Sequence, residues 1–118
     1  MTTASPKPLP IHFDYAFASE TVRTQGWIVP DTNDTLAVDE RWGNHWRLTH
    51  IPSGRGVMPP DNAELTTRGQ AMGFARRFYK EAVALGADLT SKDWETIRGL
   101  LFYDIGHGER AAFWSRVI

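Results

Sequence analysis

Hydrophobic residues recur at intervals of two in the first half of the chain and of three and four in the second. In His12-Phe13-Asp14-Tyr15-Ala16-Phe17 the rings at 13, 15 and 17 alternate with smaller or polar residues, the pattern of a half-buried strand. A second β-rich run covers 21–29, broken by Gly26 and stopped by Pro30, and the Asp/Asn-rich stretch 31–35 reads as a turn. The runs 36–42 and 45–51 flank Gly43-Asn44, a hairpin signal. Pro52-Ser53-Gly54-Arg55-Gly56 then turns the chain, with a fifth short strand expected at Val57-Met58 before Pro59 and Pro60.

Beyond residue 61 the period lengthens. Ala71, Phe74, Ala75, Phe78, Ala82 and Leu85 fall within roughly 100° of arc on a helix. Thr66 or Thr67 is placed to cap it, and Gly86 to end it, so a helix is predicted at about 67–85. Thr90 with Asp93 resembles a capping box for a second helix at about 91–104, buried through Trp94, Ile97 and Leu101. A third is expected at about 109–117. Strands first and helices second predict an α+β domain: an antiparallel sheet of four or five short strands over about 11–58, with two or three helices on one face.

The central hairpin admits two registers. A two-residue turn pairs Arg41 with Trp46 and Glu40 with Arg47, which leaves Trp46 facing outward as an interface anchor. A three-residue loop pairs Trp42 with Trp46 and gathers Leu36, Val38, Trp42, Trp46 and Leu48 on one face, at the expense of an Arg41–Arg47 repulsion. Burial of large side chains, each worth roughly 1.5–3 kcal/mol, favours the second.

Composition narrows the function classes. The 118 residues fit one domain, 11–118, behind a Pro-rich leader, 1–10, expected to be flexible. Net charge is −1 and evenly spread, so no global basic field drives phosphate binding. The absence of cysteine excludes disulfides, thiolate zinc sites and a cysteine nucleophile. No apolar run is long enough for a membrane span, and the start lacks a signal-peptide pattern. A soluble, cytoplasmic protein without membrane association is expected.

Candidate chemistry is sparse. His45 and His50 are five apart, so in a continuous strand they point to opposite faces and do not share a metal. Ser53 lies in no nucleophile-elbow motif. Gly54-Arg55-Gly56 is not a phosphate-binding loop, though Arg55 at a loop tip suits a carboxylate or phosphate. The best enzymatic candidate is Asp104, His107 and Glu109 on a glycine-flexed segment, as a metal site or an acid–base pair with His12 and Asp14. A plain glycine-rich helix end explains that segment more simply. Opposite the core face of the first helix lie Gly69, Gly73, Arg76, Arg77 and Lys80, where two glycines four apart signal a close approach to the backbone. The two helices around Gly86 have a helix-turn-helix outline, but Asp93 and Glu95 open the would-be recognition helix, where they would repel DNA.

The expectation is a non-enzymatic interaction module without cofactor, metal or catalytic residues, binding a larger protein or ribonucleoprotein. A homodimer is compatible with this reading. A phage or mobile-element accessory protein, such as an inhibitor of a host defence system, is one setting for such a module. Its partner-binding candidates are Arg55, Arg76, Arg77, Lys80, Gly69, Gly73 and Trp46. A DNA/RNA-binding regulator using the basic helix face comes second, and a small metal-dependent or acid–base enzyme using Asp104 and His107 third.

Overall fold

The structure is a computed structural model and describes residues 9–17, 20–41, 43, 45–57, 65–104 and 107–118. Among these, five antiparallel strands, β1 (Leu9–Phe17), β2 (Glu20–Ile28), β3 (Leu36–Glu40), β4 (Trp46–His50) and β5 (Arg55–Val57), form one meander in the order β1-β2-β3-β4-β5. Helix α1 (Arg68–Ala84) follows, then α2 (Trp94–Arg98), which runs into a π-helical segment (Gly99–Asp104), and α3 (His107–Val117). The α+β order read from the sequence is the order observed. No helix among the described residues is long and apolar enough to cross a membrane.

The strand ends differ from expectation in ways the sheet explains. β1 begins at Leu9, so Leu9 and Pro10 pair with Ile28 and Trp27. A proline is tolerated there because β1 is last in the strand order and offers one unpaired edge. Gly26 does not break β2. It lies inside the strand, where a Cβ would run into the Val38 carbonyl oxygen and come within 2.9 Å of the Phe13 ring. β2 pairs with β1 along its whole length but with β3 only through Trp27↔Val38 and Ile28↔Ala37. The sheet rolls, and β1 and β5 approach each other to Cα separations within 8 Å. Both faces of β3 and β4 are therefore buried: Leu36, Val38 and Leu48 toward the helices, and Ala37, Asp39 and Thr49 on the opposite face, inside the roll.

Neither predicted register of the central hairpin is the one formed. Glu40 pairs with Trp46, Asp39 with Arg47 and Val38 with Leu48, and the Arg41 amide donates to the His45 carbonyl. This register keeps the apolar stripe on one side and sets two opposite charges face to face. Arg47 Nε and Nη2 donate to the two carboxylate oxygens of Asp39 at 3.0 and 2.8 Å, with the Asp39 side chain only 3% exposed. An interior carboxylate requires such a partner, because desolvation without one is prohibitive. Trp46 is half-buried rather than turned outward, and its ring lies 5.7 Å from that of Trp27. Trp42 lies outside the described residues.

The helices close over the core face. Thr67 caps α1, accepting from the Gln70 amide while the Gln70 side chain reaches back, a complete capping box. Ala71, Phe74, Ala75, Phe78 and Ala82 are buried beneath α1, as the periodicity predicts, and Gly86 ends the helix at φ +93°. The cap of α2 is Asp93 and not Thr90. Asp93 accepts from the Thr96 amide and hydroxyl, whereas the Thr90 hydroxyl donates to Asp88, so the helix starts at Trp94 instead of near 91. Helix α3 begins at His107, two residues earlier than expected. Phe113 meets Phe78 edge-on at 6.1 Å and Arg116 binds Glu81 at 2.8 Å, fastening α3 along α1.

Candidate partner-binding face

Seventeen residues make α1 long enough to bury one stripe and present another. On the exposed side an open groove of about 610 Å³ runs along the helix. Gly73, Arg76, Arg77 and Lys80 line it together with Tyr79 and Val83, and Asp31 from the β2–β3 loop forms its rim. Four of the helical candidates named from the sequence therefore share one surface. Gly69, in the first helical turn, has only the Thr67 hydroxyl, 4.0 Å from where its Cβ would stand.

The three cations differ in how far they are already engaged. Arg77 Nε donates to the Val117 carbonyl at 2.6 Å, satisfying the C-terminal end of α3 where the helix dipole favours a cation. Its guanidinium folds back over Gly73, where a Cβ would stand 3.0 Å from Nη1. Among the described residues the close neighbour of that glycine is thus a side chain of the same helix, not a second helix. Arg76 binds Asp31 at 3.1 Å with both side chains more than half exposed. Lys80 is exposed and has no ion-pair partner among the described residues. Beside it, Val83 is one of the few large apolar side chains left 46% exposed.

Sequence reasoning missed Asp31, Tyr79 and Val83. Tyr79, half-buried against the core, and Val83 flank the basic arc and fall outside its roughly 100°, and Asp31, 45 positions from Arg76, carries no local signal. The β2–β3 loop that presents it is unusual, since Asp31, Asn33 and Asp34 all have positive φ. Asp and Asn tolerate that conformation better than other non-glycine residues. Buried hydroxyls hold the loop: Thr32 donates to the Val29 carbonyl at 2.8 Å and Thr35 to the Thr32 carbonyl at 2.6 Å.

The remaining candidates are dispersed. Arg55 opens β5 opposite His50 instead of standing at a loop tip, and its side chain is exposed. Trp46 belongs to the rim of the core between β4 and the N-terminus of α1, where Arg68 lies 5.2 Å over the neighbouring Trp27 ring. Asp104 ends the π-helical segment and His107 opens α3. The side chains of Asp104, His107, Glu109, His12 and Asp14 lie outside those described. Among the described residues no group of His, Asp or Glu is arranged to hold a metal ion. A smaller hollow of about 200 Å³ includes Asp88 and Asp93. Both carboxyls sit below their ordinary range because Thr90 and Thr96, respectively, donate side-chain and backbone hydrogen bonds to them.

One cluster has the outline of a nucleophile and its base. His50, fully buried, has Nδ1 2.7 Å from the Ser53 hydroxyl and Nε2 2.6 Å from the Leu89 carbonyl. A carbonyl only accepts, so Nε2 carries the proton and the Ser53 hydroxyl donates to Nδ1. Burial lowers the His50 pKa, partly offset by the bond to Leu89, so the imidazolium that a general base must form is disfavoured. The Trp94 ring, 5.2 Å away, encloses it further. The arrangement is a neutral clamp joining the β4–β5 turn to the loop after α1.

The helix-turn-helix outline also resolves. α2 has five residues, buries Trp94 and Ile97, and carries Asp93 as cap and Glu95 in its first turn. It offers neither the length nor the donors of a groove-reading helix. In comparisons with known protein families, curated proteins and solved structures, nothing matches the chain.

Proposed function

We propose that this domain is a non-catalytic binding module and that the exposed face of α1 docks an acidic surface of a larger protein. The observation that carries the reading is the groove itself, where Lys80 stands without an ionic partner among the described residues, next to exposed Val83 on a well-capped helix. Charged side chains around an apolar contact supply steering and specificity, and the apolar contact supplies affinity. A protein surface fits better than a nucleic acid. The groove has Asp31 at its rim, the whole chain is at −1, and phosphate binding draws on several cations acting together.

Affinity capture with the intact protein tests this. The wild type is expected to retain a stoichiometric protein that Arg76→Glu with Lys80→Glu releases, while Arg55→Glu retains it. Recovery of nucleic acid instead, lost steeply as salt rises, contradicts the proposal.

A further inference from the structure

We infer that the α1 groove accepts a helical segment bearing two carboxylates one turn apart, and that Asp31 occupies the first of these carboxylate positions in the free protein. The inference rests on the reading of α1 as the docking face and names what docks there. Arg76 and Lys80 are four residues apart, so their attachment points are separated by about 6 Å along the helix axis. Two acidic residues at i and i+4 on a partner helix repeat that distance. Arg77, between them in sequence, is committed to the Val117 carbonyl and serves the fold.

Asp31 shows how a carboxylate meets this surface. Its Oδ2 lies 3.1 Å from Arg76 Nη2, and neither side chain is enclosed, at 58% and 53% exposure. An incoming carboxylate therefore exchanges one exposed ion pair for another, a small change either way. The buried Thr32 and Thr35 hydroxyls, not the ion pair, fix the loop, so Asp31 stays close to Arg76 as a tethered competitor. Among the described residues Lys80 has no such occupant, and Val83, three residues on, offers an apolar contact to a side chain beyond the second carboxylate. The fitting pattern is acidic, three residues, acidic, then an apolar residue within the next turn.

The test uses the full chain and a fluorescent, alanine-rich helical peptide of about 18 residues, long enough to hold helix in water. It carries glutamates at i and i+4 and a leucine three positions on; a control of the same composition has its glutamates two apart. The wild type is expected to bind the first peptide about two- to fivefold more tightly than the control, the range for one surface ion pair. Asp31→Asn is expected to tighten binding about two- to fivefold, since it removes the competitor, and asparagine tolerates the left-handed backbone. Lys80→Gln is expected to weaken it. An unchanged melting curve for Asp31→Asn verifies the fold. Equal binding of both peptides, or no gain on Asp31→Asn, overturns this inference and leaves the docking face standing. Failure of either acidic peptide to bind wild type or Asp31→Asn, with binding of a DNA duplex instead, overturns the inference and the reading beneath it.

Discussion

Replacing Asp39 with alanine removes the carboxylate that accepts two hydrogen bonds from the Arg47 guanidinium, a group that also reaches the Thr24 hydroxyl. Arg47 is 11% exposed and Asp39 3%, and two hydrogen bonds of 3.0 and 2.8 Å join them. Removing one partner of a buried ion pair costs about 3–5 kcal/mol, because the hydrogen bonds and the attraction that offset its desolvation are lost. For a chain of 118 residues each kcal/mol corresponds to about 4 °C in Tm, so a fall of about 12–20 °C is expected. Asp39→Leu combined with Arg47→Met removes both charges at similar volume and is expected to recover to within about 2 kcal/mol of the wild type. Urea unfolding of the wild type, Asp39→Ala, Asp39→Leu, Arg47→Met and the Asp39→Leu/Arg47→Met double variant, followed by circular dichroism, measures the loss and completes the cycle. A single-variant loss below about 1 kcal/mol, the range of an exposed pair, refutes the rolled sheet and the register that places these residues together.

Other outcomes follow from particular contacts. Gly26→Ala is expected to destabilise by at least about 1–3 kcal/mol, because its Cβ meets the Val38 carbonyl and the Phe13 ring, whereas Gly73→Ala displaces only the end of the Arg77 side chain and is expected to change stability by less than about 1 kcal/mol; thermal melts of the pair compare them directly. Since burial depresses the His50 pKa, the unfolded state binds the extra proton first, so stability is expected to fall as pH drops below about 6.5 and toward the lowered folded value. His50→Gln, unfolded in urea between pH 7.5 and 5, is expected to show a smaller decline than the wild type. Arg77→Ala is expected to lower stability by about 1 kcal/mol through the lost bond to the Val117 carbonyl, and to weaken capture of the partner far less than Lys80→Glu does.

What the sequence disclosed follows the range of the interactions involved. Helix α1, its Thr67 cap, its core face and its terminal Gly86 all depend on neighbours within a few residues, and all were legible. The hairpin register was not, because pairing of Trp42 with Trp46 is a local signal, whereas the Asp39–Arg47 pair matters only once the second sheet face is also buried. Nothing local in β3 announces that burial; the atoms beside Val38 and Asp39 include Gly26 of β2 and, against it, the Phe13 ring of β1. The basic face of α1 was visible as an arc of residues. Its division of labour was not, since Asp31 and Val117, which engage Arg76 and Arg77, lie 45 and 40 positions away.

The central claim is that the outward face of α1 is where a partner binds. Amide hydrogen exchange of the intact protein, with and without the captured partner, tests it most directly. The account predicts that added protection concentrates in peptides covering residues 73–83 and the Asp31 loop, and that Arg76→Glu with Lys80→Glu abolishes it. Protection confined to the sheet or to α2, with residues 73–83 exchanging as in the free protein, contradicts it.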